Sequence, residues 1–169
     1  MNYIQKPMIK LDASSLIYVL KMNFIDVLAK LDKDIIITRT VHEEVVTRGK
    51  VKGRADAYIC EKLVKEGIVK VHEPPTPLLM ANAGLGERET IQNALENQCS
   101  CVLDDQKAQR MAIGIKVPVK QVPFLILEAL KKGIISADEF KSFFDRWVHH
   151  ADPPAELMEL IKNMKELIA

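Results

Sequence analysis

The sequence predicts an α/β domain in three layers, α/β/α, with a central parallel sheet and a helical extension at its C-terminal end. Three observations carry this. Short apolar or β-branched runs recur at residues 8–11, 35–38, 68–71 and 99–103, each too short for a helix and suited to a buried strand. Between them lie stretches with apolar residues at helical spacing, so strands and helices alternate as they do in parallel sheets covered on both faces. After Pro123 the strand-like runs stop and only helical periodicity remains.

The first strand, residues 8–11, stops at Asp12. Leu16, Leu20, Phe24 and Leu28 then recur every four positions and predict one helix from Ala13 onward. Ile35-Ile36-Ile37-Thr38 is the second strand. Thr40 and Glu43 have capping-box spacing, each able to serve the other's backbone N–H, and predict a helix through Glu44 to about Arg48. Arg48-Gly49-Lys50-Val51-Lys52-Gly53-Arg54 holds four cations in seven residues and reads either as a solvated loop between helices or as a nucleic-acid contact. A helix over 54–66 stops at Gly67, a short strand over 68–71 follows, and Pro74-Pro75-Thr76-Pro77 is a rigid connection.

Ala83-Gly84-Leu85-Gly86 is a flexible approach to a helix over 87–97, with Ile91, Ala94 and Leu95 on one face. The strand at 99–103 ends in Asp104-Asp105, and a helix over 106–113 stops at Gly114. Val117-Pro118-Val119 is an edge strand, because proline cannot donate to a ladder. In the extension, a helix over 124–130 is ended by Gly133. Ser136 and Glu139 form a second capping box before 140–148, and Asp152-Pro153 opens a helix to Ile168. Leu157, Leu160, Ile161, Met164 and Leu167 make an amphipathic stripe there, expected to pack on the domain itself. The expected division is residues 1–122, carrying the site, and 123–169, a helical extension on the same domain.

At 169 residues the chain has room for one domain with a real core. A hydrophobic fraction of 48% against 28% charged excludes a disordered chain. No apolar run reaches membrane-spanning length and residues 1–10 lack a signal-peptide stretch, so no membrane is expected and the location is cytoplasmic. Cys60, Cys99 and Cys101 lack metal-site spacing and read as buried thiols. Net charge is +1, so any nucleic-acid binding must come from a local patch. A P-loop is excluded, since no Gly-x-x-x-x-Gly-Lys occurs, and Asp12-Ala13-Ser14 lacks the second Asp of an aspartyl-phosphate enzyme.

Ligands of a parallel sheet bind beyond the carboxyl ends of its strands, and acids stand there. Asp12 follows the first strand and Asp104-Asp105 the fourth, while Glu44 and Glu87 open helices. Carboxylates brought together raise one another's pKa values, a conflict that Mg²⁺ or Mn²⁺ resolves as a hard, oxygen-seeking cation. Each acid has a plainer reading. Asp12 suits a helix cap, Glu87 and Glu89 suit the positive end of their helix, and one of Asp104 and Asp105 suits a cap with the other left for metal.

Four pieces in order carry a family resemblance: Ile9-Lys10-Leu11-Asp12-Ala13-Ser14, Val41-His42-Glu43-Glu44-Val45, Leu85-Gly86-Glu87-Arg88-Glu89-Thr90-Ile91 and Val102-Leu103-Asp104-Asp105-Gln106. Over about residues 8–119 they resemble the PIN-domain family, the Gly-Glu and Asp-Asp pieces being similar to a branch related to VapC-type toxins. The resemblance implies a metal-dependent endoribonuclease, hydrolysing RNA phosphodiesters with a metal-activated water, often dimeric, with an antitoxin protein as partner where the role is that of a toxin. Carried over position by position, it implies that Asp12, Glu44, Glu87 and Asp105 hold Mg²⁺ or Mn²⁺, with Asp104 beside them. Ser14 matches a hydroxyl the family often places near its first Asp, although a helix-start serine is the plainer reading. Lys107 and Arg110, after the last acid, are the expected phosphate contacts, along with the 48–54 cations. Many members have Asp where this chain has Glu87, and Thr where it has Leu103. The rival reading is a non-catalytic PIN-like module binding protein or RNA.

Overall fold

The computed structural model describes residues 6–73 and 82–168. Among them, strands β1 (Met8–Leu11), β2 (Asp34–Thr38), β3 (Val69–His72), β4 (Ser100–Val102) and β5 (Val119–Lys120) form one sheet in the order β3-β2-β1-β4-β5. Every pairing is parallel. The order runs outward from β1 in both directions, so β1 and β4 flank a switch point, where parallel sheets open a crevice.

The pleat sorts the side chains between two cores. Ile9 and Leu11 of β1, Ile35 and Ile37 of β2 and Val102 of β4 face a large core with α1 (Ala13–Lys21), α2 (Ile25–Lys30), α5 (Ala55–Lys65), α8 (Val122–Lys131) and α9 (Ala137–Ala151). Cys101 and Leu103 face the other side, packing with Ile91 and Ala94 of α6 (Leu85–Glu96) and Ala108 and Ala112 of α7 (Gln106–Gly114). The three-layer α/β/α expectation holds. Residues of the C-terminal helices, Trp147 and Ile161 among them, belong to the same core as the strands. The last helix, α10 (Ala155–Ile168), packs on α8.

Several local expectations are corrected. The Leu16–Leu28 stripe is not one helix, because Asn23 takes a left-handed φ of 59°. Asn23 N–H donates to Leu20 O and Phe24 N–H to Val19 O, which closes α1 and starts α2 at a new angle. Thr40 does not cap: the extended residue before the helix is Thr38, whose Oγ1 accepts the Val41 N–H at 3.3 Å, so Thr40 lies inside α3 (Arg39–His42). The helix then runs through a π turn, Glu43–Thr47, into α4 (Arg48–Val51), so half of the expected cationic loop is helical. Lys50 pairs with Glu61 and Arg54 with Asp56, which occupies two of its four cations. α6 begins at Leu85, two residues early, and Asp152 closes α9 in a left-handed conformation rather than opening α10. Cys60 and Cys101 are buried, but Cys99 is only half-buried. The Ser136–Glu139 box forms as expected, and the 74–77 connection lies outside the described residues.

Candidate functional site

Asp12 is set by two elements at once. It ends β1 and caps α1, its Oδ1 accepting the Ser15 N–H at 2.8 Å while Oδ2 accepts the Asp104 N–H at 3.3 Å. The residue is 2% exposed. Burial pushes its carboxyl up to about 6, against the pull of those hydrogen bonds. Asp104, just past β4, accepts the Tyr18 hydroxyl at 3.3 Å and is likewise raised by burial. These two acids sit on either side of the switch point.

Glu44 comes from the π turn. An extra residue in a helical turn redirects side chains, and such turns gather at functional sites. Its carboxylate lies against the backbone of α6: a Cβ built on Gly86 would stand 3.1 Å from Glu44 Oε1 and 3.3 Å from Oε2. Glycine there leaves room for the Glu44 carboxylate to rest against α6. Burial raises Glu44, Arg48 opposes the shift, and Glu87 and Glu89 add to it.

Asp12, Ser14, Glu44, Gly86 and Glu87 line a cleft of about 140 Å³. Of the expected residues, Asp12, Glu44, Glu87 and Ser14 thus come together. Glu87 is partly occupied, since its Oε2 accepts the Gly84 N–H at 2.9 Å at the start of α6. Asp105 is exposed and caps α7, its Oδ1 accepting the Ala108 N–H at 2.8 Å. Of the Asp104-Asp105 pair, Asp104 is the one that meets Asp12, through its backbone N–H, while its carboxylate takes the Tyr18 hydroxyl. Lys107 and Arg110 stand exposed on α7 and are not among the residues lining the cleft.

Glu89, which the sequence places at the positive end of its helix as an ordinary charge, is a further buried acid. It is only 5% exposed, and its Oε2 has no hydrogen-bond partner among the described residues. An orphaned buried carboxylate oxygen is costly unless a proton, a water or a cation satisfies it. The available signal was spacing. Glu89, Asn93 and, at the cap just past α6, Asn97 recur every four residues, a polar row of which the first two are buried. Asn97 Oδ1 accepts the buried Lys10 Nζ at 2.7 Å, and His72 Nδ1 lies 2.9 Å from the same nitrogen.

The donor set fits a divalent cation in kind: oxygens only, several held above their ordinary pKa, one orphaned. Among the described residues no three such side chains are yet close enough to form a ligand shell.

A family model described as DUF3368, PIN domain, matches residues 8–150, most of the chain and beyond the 8–119 that carried the resemblance. No curated protein matches. Among solved structures, a PilT N-terminus domain protein, SSO1118, from Sulfolobus solfataricus P2 is similar in fold, with a TM-score of 0.52 at 15% identity over 73% of this chain and 93% of that one. A domain of a functionally unknown protein from Methanocaldococcus jannaschii DSM 2661 gives a TM-score of 0.48 at 19% identity, covering 68% of this chain and 90% of that one. The chain belongs to the PIN-domain family.

Proposed function

We propose that the chain is a metal-dependent endoribonuclease, with Asp12 and Glu44 of the cleft, and Asp104 and Glu89 next to them, holding Mg²⁺ or Mn²⁺, and Glu87 in the cleft wall. The observation that carries this is the acid edge beside the switch point, where burial raises Asp12, Glu44 and Asp104 each from its ordinary value. Family membership supports a nuclease-like activity.

The chain's own residues supply positioning. The Ser15 and Asp104 N–H groups fix the two oxygens of Asp12, and the Tyr18 hydroxyl fixes Asp104. When bound, the cation supplies acidification of a coordinated water and neutralisation of charge on the phosphate. Lys107 and Arg110, exposed on the helix that Asp105 caps, are the proposed phosphate contacts, with Ser14 at the mouth of the cleft. Water, not the neighbouring 2′-hydroxyl, is the nucleophile, so a substrate carrying a single 2′-deoxy at the cleavage position is still cut. The in-cell reading is the toxin of a toxin–antitoxin pair, homodimeric and cytoplasmic, with a protein antitoxin as partner. No helix among the described residues is long and apolar enough to cross a membrane.

The test is incubation with single-stranded RNA and Mn²⁺, wild type beside Asp12→Asn. Cleavage that needs the cation and is lost in the variant supports the reading. A wild type that binds RNA or a protein but leaves RNA intact replaces it with the binding-module reading.

A further inference from the structure

A second feature lies away from the acid cleft. α7, β5, α8 and the last turns of α10 enclose an open groove of about 900 Å³. Its walls are largely apolar, with Ile113, Phe124, Leu127 and Met164 among the lining side chains. Two apolar side chains on the rim stand out in solvent, Ile113 at 63% and Leu167 at 87% exposed. A small molecule sunk in the groove would leave both wet, whereas a helix or extended segment laid along it would cover them.

Charge selects the kind of segment. From Gln106 to Lys132, the stretch that builds three of the walls, there are six Lys or Arg and one acid, Glu128. That acid is already occupied: Lys33 meets it at 2.6 Å, Lys120 at 3.0 Å and Lys132 at 3.1 Å. One carboxylate cannot neutralise three ammonium groups, and Lys131, which also lines the groove, makes no ion pair among the described residues, so the lining keeps a surplus of positive charge. Aliphatic lining with a single aromatic, Phe124, suits side chains better than stacked bases.

We propose that this groove docks an acidic amphipathic protein segment, its apolar stripe on Ile113, Phe124 and Leu167 and its carboxylates toward Lys120 and Lys131. Gln109 forms part of the wall and also donates to the backbone oxygens of Leu103 and Asp104 at 3.0 and 3.2 Å, so the occupant ends beside the acid edge. The inference stands independently of the nuclease reading.

The test pans a library of random 16-residue peptides against the full chain, in parallel with Ile113→Asp/Leu167→Asp and with Lys120→Glu/Lys131→Glu. Both apolar sites are exposed, so the first variant should fold, which its thermal melt checks. If it does not, the second, which leaves the apolar walls intact, carries the comparison. The expected result is enrichment of net-negative peptides with apolar residues three and four apart, bound at least tenfold more weakly by each folded variant. No enrichment, net-basic winners, or winners that bind the variants equally would overturn it. So would a wild type that sediments as a dimer and that Ile113→Asp/Leu167→Asp makes monomeric, since the occupant is then a second copy. RNA binding lost in the same variant would assign the groove to nucleic acid instead.

Discussion

Two carboxylates in this protein meet opposite fates. Glu128, on α8, is surrounded by Lys33, Lys120 and Lys132. Burial pulls its pKa upward, but the three ammonium groups outweigh that and bring it down to about 2. Asp12 is more deeply buried and meets no cationic side chain, with hydrogen bonds from Ser15 and the Asp104 N–H and another acid, Asp104, beside it; its pKa rises to about 6. The fold neutralises one acid with its own lysines and gives the other no cationic side chain, which is what the proposed metal site requires. A buried charge without a partner is unfavourable to the fold, and sites that keep one do so where chemistry needs it.

The comparison can be broken most sharply at the acid edge. Asp12→Asn or Asp104→Asn should lower RNA cleavage by roughly 100-fold or more, since each removes a proposed metal oxygen. Asp105→Asn should leave cleavage within about threefold, because asparagine still caps α7. A large loss at Asp105 and none at Asp104 would return the site to the assignment drawn from the family resemblance.

Stability should respond to pH with opposite signs in the two regions. Asp12 is raised in the folded state, so without metal the native state binds the extra proton between about pH 4 and 6. Stability therefore falls as pH rises through that window and is flat above it, by about 1–3 kcal/mol for this group. Asp12→Asn should flatten that slope in denaturant melts taken across pH. Glu128 is lowered, so its contribution is present above the unfolded pKa and is lost as pH falls toward 2. Glu128→Gln should cost roughly 1–3 kcal/mol near neutrality by leaving three lysines to repel one another, with the cost shrinking at pH 2.

Smaller effects refine the geometry. Thr38→Val removes the side-chain cap of α3, the helix leading into Glu44, and should cost about 1 kcal/mol in a urea melt. Gly86→Ala should barely move the melt, because the Glu44 carboxylate at 3.1 Å is a flexible end that can swing away. The same swing should weaken Mn²⁺ binding several-fold, and an unchanged affinity would mean that the α6–Glu44 approach does not shape the site.

The layers of the fold were legible because buried strands need β-branched runs and amphipathic helices need their stripe. What escaped depends on register and side-chain direction. The break at Asn23 needs a left-handed residue that asparagine tolerates but does not announce. Whether Thr38 or Thr40 caps α3 depends on where β2 ends, and Thr38 is still paired with His72 of β3. The π turn that carries Glu44 has no residue signature here. Lys10, a charged residue in the middle of β1, is buried under α6 and held by Asn97, a placement that the strand pattern does not announce. The same polar row hid Glu89.

The most direct test of the central claim is a calorimetric titration of Mn²⁺ into metal-free wild type and Asp12→Asn at pH 7.5, with folding of both checked by circular dichroism. The account predicts saturable binding to the wild type and its loss in the variant. No binding to the wild type, or equal binding to both, would contradict the claim that the uncompensated acids at the switch point are the protein's cation site.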